Sequence, residues 1–125
     1  MRGISNILHA HIELELRIVV SKLNCDNVTN IAKLIIRYFP TTTVVNFVGL
    51  EMRGNCVANA DQVLISYQDA FQKSKEAIRL LIHHGIDVGL YNFPYCMIDE
   101  DTGRLRRRVF RRISPCFMMR VNNAA

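Results

Sequence analysis

Read from the amino end, the chain first shows alternation of apolar and polar positions. Ile12, Leu14, Leu16, Ile18 and Val20 alternate with Glu13, Glu15, Arg17 and Val19, a period of two that predicts a strand over Ile12–Val20 with one apolar face. Asp26 or Asn27 is then placed to cap a helix. Val28, Ile31, Ala32 and Ile35, followed by Tyr38 and Phe39, keep the three-and-four spacing of one helical face until Pro40 ends it. Thr43–Leu50 (TVVNFVGL) is β-branched and apolar on both faces, as suits a buried parallel strand. Gly49 and Gly54 bracket a polar turn around Glu51 and Arg53, and a looser stretch runs to Ser66. Tyr67, Ala70, Phe71, Ser74, Ala77, Ile78 and Leu81 trace a second amphipathic helix closed by Gly85. Ile86–Tyr91 reads as a third strand with Pro94 at its exit. Ile4, Ile7 and Leu8 make an apolar stripe for a helix in the first ten residues.

Strands joined by helices of this length imply crossover connections and a parallel sheet, so the expected class is α/β: a small parallel sheet with flanking helices. Three parallel strands alone leave two edges and much apolar surface to be covered. The chain of 125 residues suits one domain, expected over 1–98, with a basic tail over 99–125.

Charge changes this picture only at the tail. The formal net charge is +5, yet six arginines lie between Arg104 and Arg112 with no acid among them; without them the rest of the chain stands at −1. Such a segment can neutralise phosphates, but no DNA- or RNA-binding pattern accompanies it, and the reading is against nucleic acid. No apolar run approaches the roughly 18 residues that cross a bilayer. Two histidines and two glutamates interrupt the start (MRGISNILHAHIELEL), which speaks against a signal peptide and for the cytoplasm.

Candidate chemistry is sparse. Cys25, Cys56, Cys96 and Cys116 stand apart, without the C-x-x-C spacing that lets thiolates share a metal, and read as reduced packed thiols. His83 and His84 fall at a helix end, where they interact favourably with its carbonyls rather than with a metal. Glu13 and Glu15 share the solvent side of a strand, and Asp99, Glu100 and Asp101 form a turn with Gly103. Ligands of parallel α/β folds collect at the carboxyl ends of the strands. Three polar clusters fall there: Ser21, Lys22 and Asn24; Glu51 and Arg53; Tyr91 and Asn92.

The blocks LRIVVSK, IAKLIIRYFP, FVGLEMRGN, GIDVGLYNFPYC and RISP, in that order over roughly residues 3–115, resemble the later part of radical S-adenosylmethionine (SAM) enzymes, in the maturase branch associated with His-Xaa-Ser systems. The resemblance implies the later half of a partial (β/α) barrel. Its ancestral reaction is reductive SAM cleavage at an iron–sulfur cluster, followed by hydrogen abstraction from a peptide. It also implies a ribose-side contact at Ser21 and Lys22, a glycine–glutamate element beside SAM at Gly49 and Glu51, and an adenine-facing strand at Tyr91 and Asn92. The family's C-x-x-x-C-x-x-C loop is absent from this sequence, Ser21 stands where a histidine is commoner, and CFMMRVNNAA follows RISP in place of a cysteine-rich segment. The expectation is therefore a truncated radical SAM-like chain, inactive alone, with no cluster and with SAM affinity weak or lost. Two other classes stay open: an interaction module that pairs with a separate cluster-bearing chain, and a small basic nucleic-acid-binding protein.

Overall fold

A computed structural model describes residues 2–10 and 13–94. The order is α1 (Arg2–His9), β1 (Glu15–Val20), α2 (Val28–Tyr38), β2 (Val44–Gly49), α3 (Asn55–Ala58), α4 (Ala60–Val63), α5 (Tyr67–His83) and β3 (Asp87–Tyr91), with one 3-10 turn, Cys25–Asn27, leading into α2. The α/β class is as expected: β1, β2 and β3 form a parallel sheet in that order, with β2 central. The tail proposed for 99–125, with its acidic turn and the Arg104–Arg112 run, lies outside the described residues.

Register assigns every strand residue to a face. Ile18 pairs with Phe47 and Phe47 with Leu90; Val45 pairs with Val88. These side chains join Val20 in one buried core with Val28, Ala32 and Ile35 of α2 and Ala70, Phe71, Ala77, Ile78 and Leu81 of α5. Both long helices therefore cover the same face of the sheet, and they pack on each other. Ser74 is also buried there, its hydroxyl satisfied by donating to the Ala70 carbonyl at 2.7 Å. The opposite face carries Glu15, Arg17 and Val19 on β1, Val44, Asn46 and Val48 on β2, and Asp87, Gly89 and Tyr91 on β3. Val19 is 45% exposed there. The strand expected to be buried on both faces is fully buried on its core face and largely covered on the other, where the fully buried Asn46 lies between the half-buried Val44 and Val48.

Element boundaries follow local partners. The described strand begins at Glu15, because β2 pairs from Val44 onward, while Ile12 of the expected strand lies outside the described residues; just before the ladder the Leu14 carbonyl accepts from the Thr43 amide and hydroxyl. The third begins at Asp87 rather than Ile86. Neither Asp26 nor Asn27 caps α2 through its side chain; the Asp26 carboxylate instead pairs with Lys73, tying the 3-10 turn to α5 and holding the Lys73 pKa above its ordinary value. Ser66 does cap α5, accepting from the Asp69 amide at 3.0 Å. The helix ends on His84, and Gly85 follows with φ +78. The Gly85 and Ile86 amides return to the Ile82 and Leu81 carbonyls, the paired bonds that a left-handed residue past a helix end allows.

The two faces predict unequal costs. Phe47→Ala should lose about 3–5 kcal/mol, as large-to-small changes in packed cores do, while Val19→Ala should stay within about 1 kcal/mol. Urea unfolding followed by circular dichroism checks both; equal losses would mean that both faces are packed alike.

Candidate functional site

The carboxyl ends of the strands bring part of the expected site together. Val20 pairs with Gly49, and Val48 with Tyr91, so Val20, Gly49 and Asn92 stand level across the sheet edge, with Ser21 one residue beyond on β1. Asn92, with φ +59, folds its side chain back so that Nδ2 donates to the Gly49 carbonyl at 3.3 Å. Asn24 makes a turn on the other side: its Oδ1 accepts from the Ser21 amide at 2.9 Å, and its Nδ2 donates to the Val19 carbonyl at 2.8 Å. The Ser21 hydroxyl also points to Asn24 Oδ1, at 3.4 Å. Lys22 is drawn away, its amide bonded to the Val63 carbonyl and its Nζ donating to the Asp61 carbonyl at 3.1 Å. Glu51 is exposed and pairs with Arg53 at 2.9 Å.

Gly49 is a close-approach position. A Cβ there would sit 2.8 Å from the Tyr67 ring and 2.9 Å from the Asn92 carbonyl oxygen. Tyr67 stands at the start of α5, donates its hydroxyl to the Leu50 carbonyl at 3.2 Å, and meets Phe93 edge-on with ring centroids 6.2 Å apart. Phe93 in turn lies 6.2 Å from the Phe71 ring. The strand ends are thus closed by an aromatic group continuous with the core, and the glycine makes room for this chain's own tyrosine.

The looser stretch expected from Gly54 to Ser66 contains the two short helices α3 and α4. The Cys56 thiol lies 3.6 Å from the Met52 sulfur, and Cys25 is buried with its sulfur 3.7 Å from the Lys22 carbonyl. Both are free thiols, and among the described residues no three His, Cys, Asp or Glu side chains gather as a metal site. Cys96 and Cys116 lie outside the described residues. His84 Nδ1 lies 2.9 Å from the Leu80 carbonyl, the helix-end interaction expected for it. No described helix is long and apolar enough to cross a membrane.

Tyr91 belongs to two regions. Its backbone ends β3, but its ring lies on the face away from the helices, where the Arg17 guanidinium stands 5.6 Å from the ring centroid. Arg17 and Tyr91 sit on opposite edge strands, so this contact bridges β2. Between them is Asn46, fully buried, with neither its Nδ2 nor its Oδ1 hydrogen-bonded among the described residues. Gly89 creates its space: a Cβ there would come within 2.0 Å of Asn46 Oδ1. Arg17 also pairs with Glu15 at 2.8 Å, and that hydrogen bond holds its pKa above the ordinary value. Reading the sequence by periodicity missed this group. The available signal was a lone asparagine within an apolar parallel strand, where a buried amide needs partners.

Comparison with protein-family models, with curated proteins and with solved structures gave no match.

Gly49→Ala should cost about 1–3 kcal/mol, the range for overpacking a filled space, and Tyr67→Ala in the same chain should return part of that cost. Urea unfolding of the two single variants and the double variant gives the coupling; strictly additive losses would mean that the tyrosine does not fill the glycine's space.

Proposed function

We propose that this chain forms the later part of a radical SAM-like (β/α) barrel and serves as its scaffold and SAM-side wall, without redox chemistry of its own. The observation that supports this reading best is topological. The strands run β1-β2-β3 without reversal, and both crossovers cover one face. A (β/α) barrel keeps its strand order and places every helix on one side of the sheet, turning the other face inward, and this segment has that arrangement, which it shares with one half of a doubly wound sheet. In this reading Arg17, Asn46 and Tyr91 face the barrel interior. Ser21, Lys22, Gly49, Glu51, Tyr91 and Asn92 line its carboxyl rim.

The described residues do not fit an iron–sulfur cluster: Cys25 is buried beside the Lys22 carbonyl and Cys56 pairs with Met52, so no thiolate set converges. No step is assigned through a cluster. SAM is a different matter, because the rim offers polar groups, although most are engaged. Ser21 is held by Asn24, Lys22 by the Asp61 carbonyl, and Asn92 by the Gly49 carbonyl. An adenosine placed there exchanges those bonds for its own, which leaves little net affinity. Glu51, exposed in its pair with Arg53, is the rim group most readily turned toward a ribose.

A second reading has an observation of its own. Exposed Val19, the half-buried Val44 and Val48, and the outer edges of β1 and β3 suit an interaction module that pairs with a cluster-bearing chain. The two readings share one surface and differ in whether the rim binds SAM.

Titration of the full chain with SAM, followed by amide chemical shifts, separates them. The scaffold reading expects saturable shifts at Ser21, Lys22, Gly49, Glu51, Tyr91 and Asn92 with a Kd of about 1 mM, or about −4 kcal/mol, weakened in Glu51→Gln. Shifts elsewhere, or none at several millimolar, would leave the interaction module.

A further inference from the structure

We propose that residues 51–64 form a strap across the carboxyl ends of β1 and β2 that opens as one unit, and that Lys22 is its latch. The inference stands apart from the SAM reading, since it concerns how the rim is covered and not what binds there. The strap leaves β2 through Leu50 and returns to the start of α5, and the Tyr67 hydroxyl, donating to the Leu50 carbonyl at 3.2 Å, closes its base. Ile65, half-buried against the core, fixes the returning limb. Compact surface loops whose ends are held together are frequently functional. Burial does not hold this one down. Of residues 51–64 none is buried; Cys56, Ala60 and Val63 are half-buried, and the others are exposed, the apolar Met52, Val57 and Leu64 among them.

The strap's own hydrogen bonds stay inside it. The amides of Cys56, Val57, Asn59, Gln62, Val63 and Leu64 all donate to carbonyls between Arg53 and Ala60, and the Glu51–Arg53 ion pair is internal as well. Among the described residues the polar ties from its body to the rest of the chain come from one residue, Lys22 at the end of β1. The Lys22 amide donates to the Val63 carbonyl at 3.0 Å, and its Nζ donates to the Asp61 carbonyl at 3.1 Å. Both acceptors belong to the last turn of α4, where carbonyls have no partner within the helix and a cation is favoured. That support matters because a helix of four residues does not persist alone: its first turn is fixed at a loss, and too few further bonds follow. α3 and α4 therefore depend on the latch, and losing it melts them together. Gly54 supplies the pivot, since its φ of +54 and ψ of −131, just ahead of α3, are open to a residue without a side chain. A rim ligand that takes Lys22 Nζ from the Asp61 carbonyl weakens the closed strap, so closure is coupled to the occupation of Lys22.

The test is amide hydrogen exchange of the full chain, read residue by residue. A strap that opens as one unit predicts that the six amides bonded within it, together with the Lys22 amide, share one protection factor to within about threefold, far below that of Val45 and Phe47 in β2. Lys22→Met keeps most of the stem and removes the ammonium. It should lower protection of all of these amides together by about fivefold, the worth of one ordinary hydrogen bond, and leave β2 as it was. Lys22 is exposed, and unchanged β2 protection shows that the variant folds. Unrelated protection along the strap, protection equal to that of β2, or strap amides that exchange at the original rate in Lys22→Met would each overturn the proposal. Loss of β2 protection in the same variant would mean that Lys22 supports the whole sheet, and would overturn it equally.

Discussion

The constraint on which the rest of the molecule depends is that two crossovers share one face of a three-stranded sheet. Val28, Ala32 and Ile35 of α2 and Ala70, Ser74, Ala77 and Ile78 of α5 are all buried, and the two helices pack on each other above the sheet. Phe47 on the central strand and Phe71 on α5 then fill the layer between helices and sheet. Because every crossover lands on that side, the other side depends on whatever its own residues can do. A long arginine over a tyrosine ring and a buried asparagine amide are the result.

The same economy governs the carboxyl edge. In many parallel folds the strand ends are kept open and polar for a ligand. Here Tyr67, Phe71 and Phe93 carry the core out to that edge, and the small polar residues hold turns together: Asn24 around Ser21, and Asn92 around Gly49. The edge is accordingly ordered before any ligand arrives, at the expense of donors a ligand would use. Its best remaining group, Glu51, is exposed beside Arg53, where an ion pair is weakly held and readily exchanged.

Much of the scaffold was legible from pattern. Alternation at Leu14, Leu16, Ile18 and Val20 gave the first strand's buried side, and the three-and-four spacing from Tyr67 to Leu81 gave the long helix, because burial on one side leaves that imprint directly. Boundaries were less legible: Leu14 alternates correctly, but the ladder begins only where β2 provides partners. The helices at Asn55–Ala58 and Ala60–Val63 carry no apolar stripe, so nothing in their spacing announces them. The candidate site was legible as a row of strand ends. That Lys22 turns away to the Asp61 carbonyl, and that Gly49 accommodates Tyr67, are tertiary facts with no local signature. Asn46 is the reverse case, a visible anomaly in an apolar strand whose meaning depends on register with Arg17 and Gly89.

The most direct test of the one-sided, three-stranded account is residue-resolved hydrogen exchange of the full chain. Among the described residues, Val44–Gly49 have a hydrogen-bonded strand on each side, whereas Glu15–Val20 and Asp87–Tyr91 each have one on a single side. The account predicts that β2 amides exchange only with global unfolding, while alternate amides of β1 and β3 exchange much faster. Uniform slow exchange across all three strands would mean that both outer edges are paired, and would contradict it.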